Sequence, residues 1–180
     1  MTMHNSRVLI IDDDSILLGT LAATLRLRLS DAHVETADSA LASLERIRSI
    51  EYAAVLCDAY QPHIESVPFV RAVRKMHPAL PVLLLLEKPD EDLVRQAMNA
   101  GAYDILVKPV EEGTLLFAVN RAIEVSRLRS QVKRAEAQLL AAVESMLADL
   151  EELYGAYGLR SHFEAFLGSV NAEREASWQK

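Results

Sequence analysis

Two apolar runs of this chain end in acids and a third ends in a lysine. Val8-Leu9-Ile10-Ile11 runs into Asp12-Asp13-Asp14, Ala53-Ala54-Val55-Leu56-Cys57 runs into Asp58, and Ile105-Leu106-Val107 runs into Lys108-Pro109. If the three runs are neighbouring parallel strands, their carboxyl ends bring the acids and the lysine into one crevice. Open α/β sheets bind their ligands in that crevice. Clustered carboxylates suit a hard divalent cation such as Mg2+, and a lysine facing them suits a phosphoryl group. That combination fits phosphoryl transfer to an aspartate, with Asp58 as the acceptor.

Each residue also has a plainer role to weigh. Acids favour helix N-termini, and Asp14 reads best as such a cap. Three acids in a row repel one another, so Asp12 and Asp13 read better as cation ligands. Asp58 alone could be an ordinary turn aspartate; its pairing with the triplet favours a phosphoacceptor. Lys108 alone could be a surface lysine. At a strand end it reaches a phosphoryl oxygen, and Pro109 fixes the turn that aims it. A cis Lys108–Pro109 bond is expected to be accessible, because only X-Pro bonds adopt cis cheaply.

Strand-like and helix-like segments alternate around these residues. Arg7 to Ile11 reads as a buried strand. Ile16, Leu17, Leu21, Leu25 and Leu29 recur at helical spacing, behind a cap at Asp14 or Ser15. His33 to Thr36 reads as a strand, followed by a helix marked by Ala40, Leu41, Leu44 and Ile47 and capped by Asp38 or Ser39. Ala53 to Cys57 is the third strand, and Phe69, Val70, Val73 and Met76 mark the third helix. Pro81 to Leu86 is the fourth strand, with proline tolerable at its start. Asp90 to Ala100 is a helix stopped by Gly101. Asp104 to Val107 is the fifth strand, and a fifth helix starts near Glu111. Five strand–helix units with right-handed crossovers predict a parallel sheet covered by helices on both faces. Near-continuous apolar strands agree with burial on both sides.

Composition narrows the class. At 180 residues, the chain suits one domain plus an extension, and 51% hydrophobic residues suffice for a core. A net charge of -7 argues against a nucleic-acid-binding surface. The single cysteine, Cys57, allows no disulfide framework and fits a reducing compartment. Arg7 is followed by only four apolar residues before the acids, so no signal peptide is expected. No apolar stretch approaches a membrane span. The expectation is a cytoplasmic protein. The five histidines show no metal-ligand spacing, and the surroundings of His162 do not match a histidine phosphoacceptor.

The last third differs. From Thr114 to about Leu153 there is neither proline nor glycine, and good helix formers dominate. Leu128, Val132, Ala135, Leu139, Ala142 and Met146 alternate spacings of four and three, an apolar seam of roughly two and a half heptads. Asp149 interrupts it, and it resumes at Leu150 and Leu153. The predicted division is residues 1–125 as the α/β domain and 126–180 as a helical extension, with a coiled-coil-like helix to about 153. Tyr154 to Gly158 should break that helix. A short amphipathic helix with Phe163, Phe166, Leu167 and Val170 on one face follows, then a polar tail from Asn171 to Lys180.

The ordered set Ile10-Ile11-Asp12-Asp13-Asp14, Val55-Leu56-Cys57-Asp58 with Pro62, Pro81-Val82-Leu83-Leu84 and Ala100-Gly101-Ala102-Tyr103-Asp104-Ile105-Leu106-Val107-Lys108-Pro109 closely resembles the receiver domain of bacterial two-component response regulators, over about residues 5 to 125. The resemblance implies a flavodoxin-like (βα)5 fold with strand order 2-1-3-4-5. It implies Asp58 as phosphoacceptor, Asp12 and Asp13 as the acid pair of an Mg2+ site, the backbone carbonyl of Tyr60 as a further metal contact, and Lys108 on the phosphoryl group. The donor would be a histidine kinase. Three positions depart from the family. Leu86 stands where a Ser or Thr hydroxyl is usual, and no Ser or Thr lies between Ser66 and Thr114. Glu87 stands where a small residue is usual, and Ile105 replaces the aromatic switch residue. His63-Ile64-Glu65-Ser66 occupies a turn where glycine is common. Tyr60, Glu87 and Lys88 are positioned to modulate the pocket.

The leading expectation is a phosphorylation-controlled receiver, a phosphoacceptor with at most self-dephosphorylation rather than an enzyme. No DNA-binding or enzymatic module fits in residues 126–180. Output is expected through homodimerisation on the seam, or through docking of that helix on a protein target; the seam could instead fold back on the domain. The chain could also be the sensory front end of a longer protein. The alternative is a pseudo-receiver scaffold outside phosphorylation control, motivated by Leu86, Glu87 and Ile105. A third reading, a haloacid-dehalogenase-type phosphatase with Asp12 as nucleophile and Asp14 as general acid, lacks a late acid pair and room for a cap.

Overall fold

The computed structural model describes residues 6–154 and 165–169. Ten elements alternate along the chain: β1 (Ser6–Ile11), α1 (Ser15–Arg28), β2 (Ala32–Ala37), α2 (Ala40–Ser49), β3 (Ala54–Asp58), α3 (Ser66–Met76), β4 (Val82–Leu86), α4 (Glu91–Ala100), β5 (Asp104–Val107) and α5 (Glu112–Tyr154). The strands form one sheet in the order β2-β1-β3-β4-β5, and each neighbouring pair is parallel. This is the doubly wound, flavodoxin-like arrangement expected.

The central strands are largely apolar, and their successive side chains alternate between two cores. Leu9, Ile11, Val55, Cys57, Val82, Leu84 and Leu86 face α2, α3 and α4, where Ile47, Phe69, Val70, Val73 and Ala97 cover them. Val8, Ile10, Ala54, Leu56, Leu83 and Leu85 face the other way, against Leu21 and Leu25 of α1 and Leu115, Ala118, Val119 and Ala122 of α5. Burial on both sides is why no polar residue interrupts β3 or β4 before the acid.

Caps set where the helices begin and end. Asp14 accepts from the backbone N–H of Ile16 and Leu17 and so caps α1. Ser39 caps α2 and Asp90 caps α4. Gly101 closes α4 in the left-handed region at φ 98°, its N–H bonding Met98 O while Ala102 N bonds Ala97 O. Pro81 stays just outside β4, and its carbonyl accepts from Val55 N. The Lys108–Pro109 peptide is cis.

Ile16 is the exception to the periodic reading of α1. It is 81% exposed and stands beside the acids at the strand ends, whereas Leu17 and Leu18 of the same turn pack partly buried against the core.

The chain divides into two compact units, Met1–Ser130 and Gln131–Lys180. The expected division after residue 125 falls inside the first. α5 is a single helix of 43 residues, and the seam residues Leu128, Val132, Leu139 and Met146 are all exposed. Residues 165–169 are helical; Phe163, Val170, the expected break at residues 155–158 and the tail 171–180 lie outside the described residues. Among the described residues, no helix is long and apolar enough to cross a membrane.

Candidate functional site

The register of the sheet assembles the site. Ile11 lies beside Cys57, which brings Asp12 next to Asp58 at the end of β3. Leu86 lies beside Val107, and Lys108 N donates to Leu86 O at 2.7 Å, which fixes where the lysine leaves the sheet. β4 therefore separates β3 from β5 by one strand, a gap that a lysine side chain spans.

Asp12 is 1% exposed and Asp58 4%. Lys108 Nζ lies 2.6 Å from Asp58 Oδ1 and 3.0 Å from Asp12 Oδ2. The second oxygen of each carboxylate accepts a backbone N–H: Asp14 N to Asp12 Oδ1 and Tyr60 N to Asp58 Oδ2, both at 2.9 Å. Burial lowers the proton affinity of Lys108, but hydrogen bonds to Asp58 and Asp12 outweigh it and hold the ammonium above the usual lysine range. Two buried carboxylates thus share one ammonium, and the third acid, Asp13, adds to the excess of negative charge. Cys57, buried beneath them, has its thiol pushed far up by burial and by the neighbouring carboxylates, so it stays protonated and unreactive.

An open cleft of about 710 Å³ lies over these groups, lined by Asp12, Asp13, Asp58, Tyr60, Glu87 and Lys108, with Ile16 on its wall. The oxygen donors are those that suit Mg2+, which takes one or two protein carboxylates and keeps several waters. Among the described residues no three acid, histidine or cysteine side chains are gathered so as to hold a metal ion; with Lys108 between Asp12 and Asp58, the fit rests on the chemistry of the oxygen donors and their surplus charge.

The structure places Asp12, Asp13, Asp58, Tyr60, Lys108 and Glu87 around one cleft. It does not bring in Leu86 or Ile105: Leu86 is fully buried in the core facing α2–α4, and Ile105 packs partly buried against the same cluster. Lys88 is exposed and does not line the cleft. Sequence reasoning passed over Gln61, which is 8% exposed and reaches Asp13. An isolated amide in a loop has no periodicity to betray it.

Comparison with known proteins follows the same outline. The response regulator receiver domain family matches residues 8–120. The C4-dicarboxylate transport transcriptional regulatory protein DctD of Pseudomonas aeruginosa is 37% identical over 124 residues, covering 68% of this chain and 26% of that protein. The transcriptional regulatory protein ZraR of Escherichia coli is 28% identical over 123 residues, 68% of this chain and 27% of the relative. The chain thus spans about a quarter of the length of these curated relatives. A solved receiver domain from Clostridium thermocellum superposes with a TM-score of 0.64 at 29% identity, over 68% of this chain and 98% of that one. With the acid pocket, the strand order and these matches in agreement, the chain belongs to the response regulator receiver domain family of two-component systems.

Proposed function

We propose that this receiver accepts a phosphoryl group on Asp58 from the phosphohistidine of a histidine kinase. The observation that carries this reading is the floor of the cleft, where two buried carboxylates share a single lysine. A carboxylate oxygen of Asp58 attacks phosphorus, the bond from phosphorus to the imidazole nitrogen breaks, and the electron pair returns to that nitrogen. Lys108 shifts its hydrogen bonds from the carboxylates to a phosphoryl oxygen. Mg2+, held by Asp12, Asp13, Asp58 and the Tyr60 carbonyl, would offset the charge gathered on phosphate and acids. Glu87 at the rim disfavours a second anion and slows entry of bulky phosphodonors. The domain is a phosphoacceptor with at most self-dephosphorylation.

Output runs through the exposed seam, whose apolar residues pair two copies as a coiled coil. Sedimentation of the wild-type chain and of Leu139→Lys tests this: a dimer that becomes a monomer is expected, and two identical monomers would remove self-pairing of the seam and leave docking of that helix on a protein target.

A second reading, a scaffold outside phosphorylation control, is favoured by the burial of Leu86 and Ile105 in one apolar core. Neither presents a hydroxyl or a ring to the cleft. Intact mass after incubation with acetyl phosphate and Mg2+, on wild type and Asp58→Ala, separates the two. One added phosphoryl group in wild type alone supports the receiver. None in either protein, with acetyl phosphate and with a kinase, supports the scaffold.

A further inference from the structure

Gln61 sits three residues past Asp58 and turns its amide into the protein rather than toward water. Its Oε1 accepts from Ala40 N at 3.0 Å, and its Nε2 donates to Asp13 Oδ1 at 3.3 Å. Ala40 is the first residue of α2, so its N–H has no partner within the helix. The two neighbours leave the amide one orientation: an N–H can only donate, so it takes the oxygen, and a carboxylate can only accept, so it takes the nitrogen. The end of β2, three residues before Ala40, is itself bonded to the backbone of the acids, Asp12 N donating to Ala37 O at 3.2 Å.

We propose that Gln61 is a positioning residue for the cation site, holding Asp13 in ligating orientation and coupling occupancy of that site to the first turn of α2. The inference rests on the reading of Asp12, Asp13 and Asp58 as cation ligands. Groups that hydrogen-bond a metal ligand restrict its rotamers, and their loss typically weakens metal binding by about 10–100-fold. When Asp13 turns an oxygen to the cation, Gln61 keeps the other. Its own carbonyl then shifts against Ala40, and the start of α2 registers the ion.

The test is an amide NMR titration of the full chain with Mg2+ alone, on wild type, Gln61→Met, Gln61→Asn and Asp13→Asn. In wild type, the Ala40 amide should move along the same saturation curve as the amides of residues 12–14. Gln61→Met has similar length without either polar group, and should bind Mg2+ about 10-fold more weakly, with the Ala40 amide no longer following the ion. Gln61→Asn is too short to span both partners and should behave alike; it stands in if the methionine variant does not fold. A Gln61 variant that folds and binds Mg2+ as wild type does, while Asp13→Asn binds poorly, overturns this proposal and leaves the cation reading intact. Saturable binding absent from wild type overturns both.

Discussion

Lys108 has two tasks that conflict. Its ammonium is shared between buried Asp12 and Asp58, yet phosphoryl transfer asks it to let them go. Lys108→Ala leaves both carboxylates buried without a counter-charge. Breaking such a pair costs about 3–5 kcal/mol when fully enclosed; with 17% of the lysine side chain in solvent, about 2–3 kcal/mol is expected. Urea unfolding in EDTA measures it, and a loss below about 0.5 kcal/mol would mean that the pocket hydrates. Glu35 makes a different bond between charge and fold. Burial pushes its carboxyl up, but hydrogen bonds from Tyr52 and Arg46 and the nearby Arg7 outweigh that and hold it below the ordinary value of 4.5. A lowered carboxyl stabilises the fold above its unfolded value and loses that contribution as pH falls through the folded one. Below pH 4.5, therefore, wild type should lose urea resistance more steeply than Glu35→Gln, and parallel pH curves for the two would show the network to be inert. His63 is a third case, sitting at φ 69°, the conformation that glycine adopts freely. His63→Gly should leave stability unchanged or raise it by up to about 1 kcal/mol, read as a urea midpoint.

α4 ends on a local instruction, and Gly101 shows how strict one can be. Its φ is 98°, and a Cβ there would lie 2.8 Å from Arg74 Nε. Gly101→Ala should cost about 1–2 kcal/mol in thermal unfolding, with α4 fraying first by amide exchange; an unchanged midpoint would show that α4 can end elsewhere. The glycine stop was legible because it closes an acid-capped amphipathic run. The strands were legible because acids, proline and glycine bound each apolar run, and the site was legible because those runs end in chemistry. Other features had no one-dimensional signature. Ile16 keeps helical spacing but lines the cleft beside the acids rather than the core. The turn at His63 was marked as unusual, but a positive φ follows only from the path of the β3–α3 loop. Gln61 owes its burial to Ala40 and Asp13, residues 21 and 48 positions away, and such distances are invisible to periodicity. Asp58 reads as following β3 by composition yet is its last paired residue, opposite Leu85.

For the molecule as a whole, the surplus of acid in the cleft makes stability a function of its ionic surroundings. A cation that binds only the folded chain adds about 2.7 kcal/mol when present at 100 times its dissociation constant. Mg2+ should therefore raise the melting temperature of wild type and leave Asp12→Asn unmoved. Equal shifts in both would point to general screening instead. The strand order has a quieter consequence. It leaves β2 and β5 as the two rims of the sheet, the places where backbone groups could template another chain; on β2 the Val34 and Thr36 carbonyls already accept from Arg26 and Arg46. β5 is only four residues long and runs into Lys108 and Pro109, which shortens the template and removes a donor from its end. β2 carries His33 and Glu35, the latter in contact with Arg7 and Arg46. Side-chain cover and charge on β2, and brevity on β5, guard the two margins against sheet-to-sheet growth.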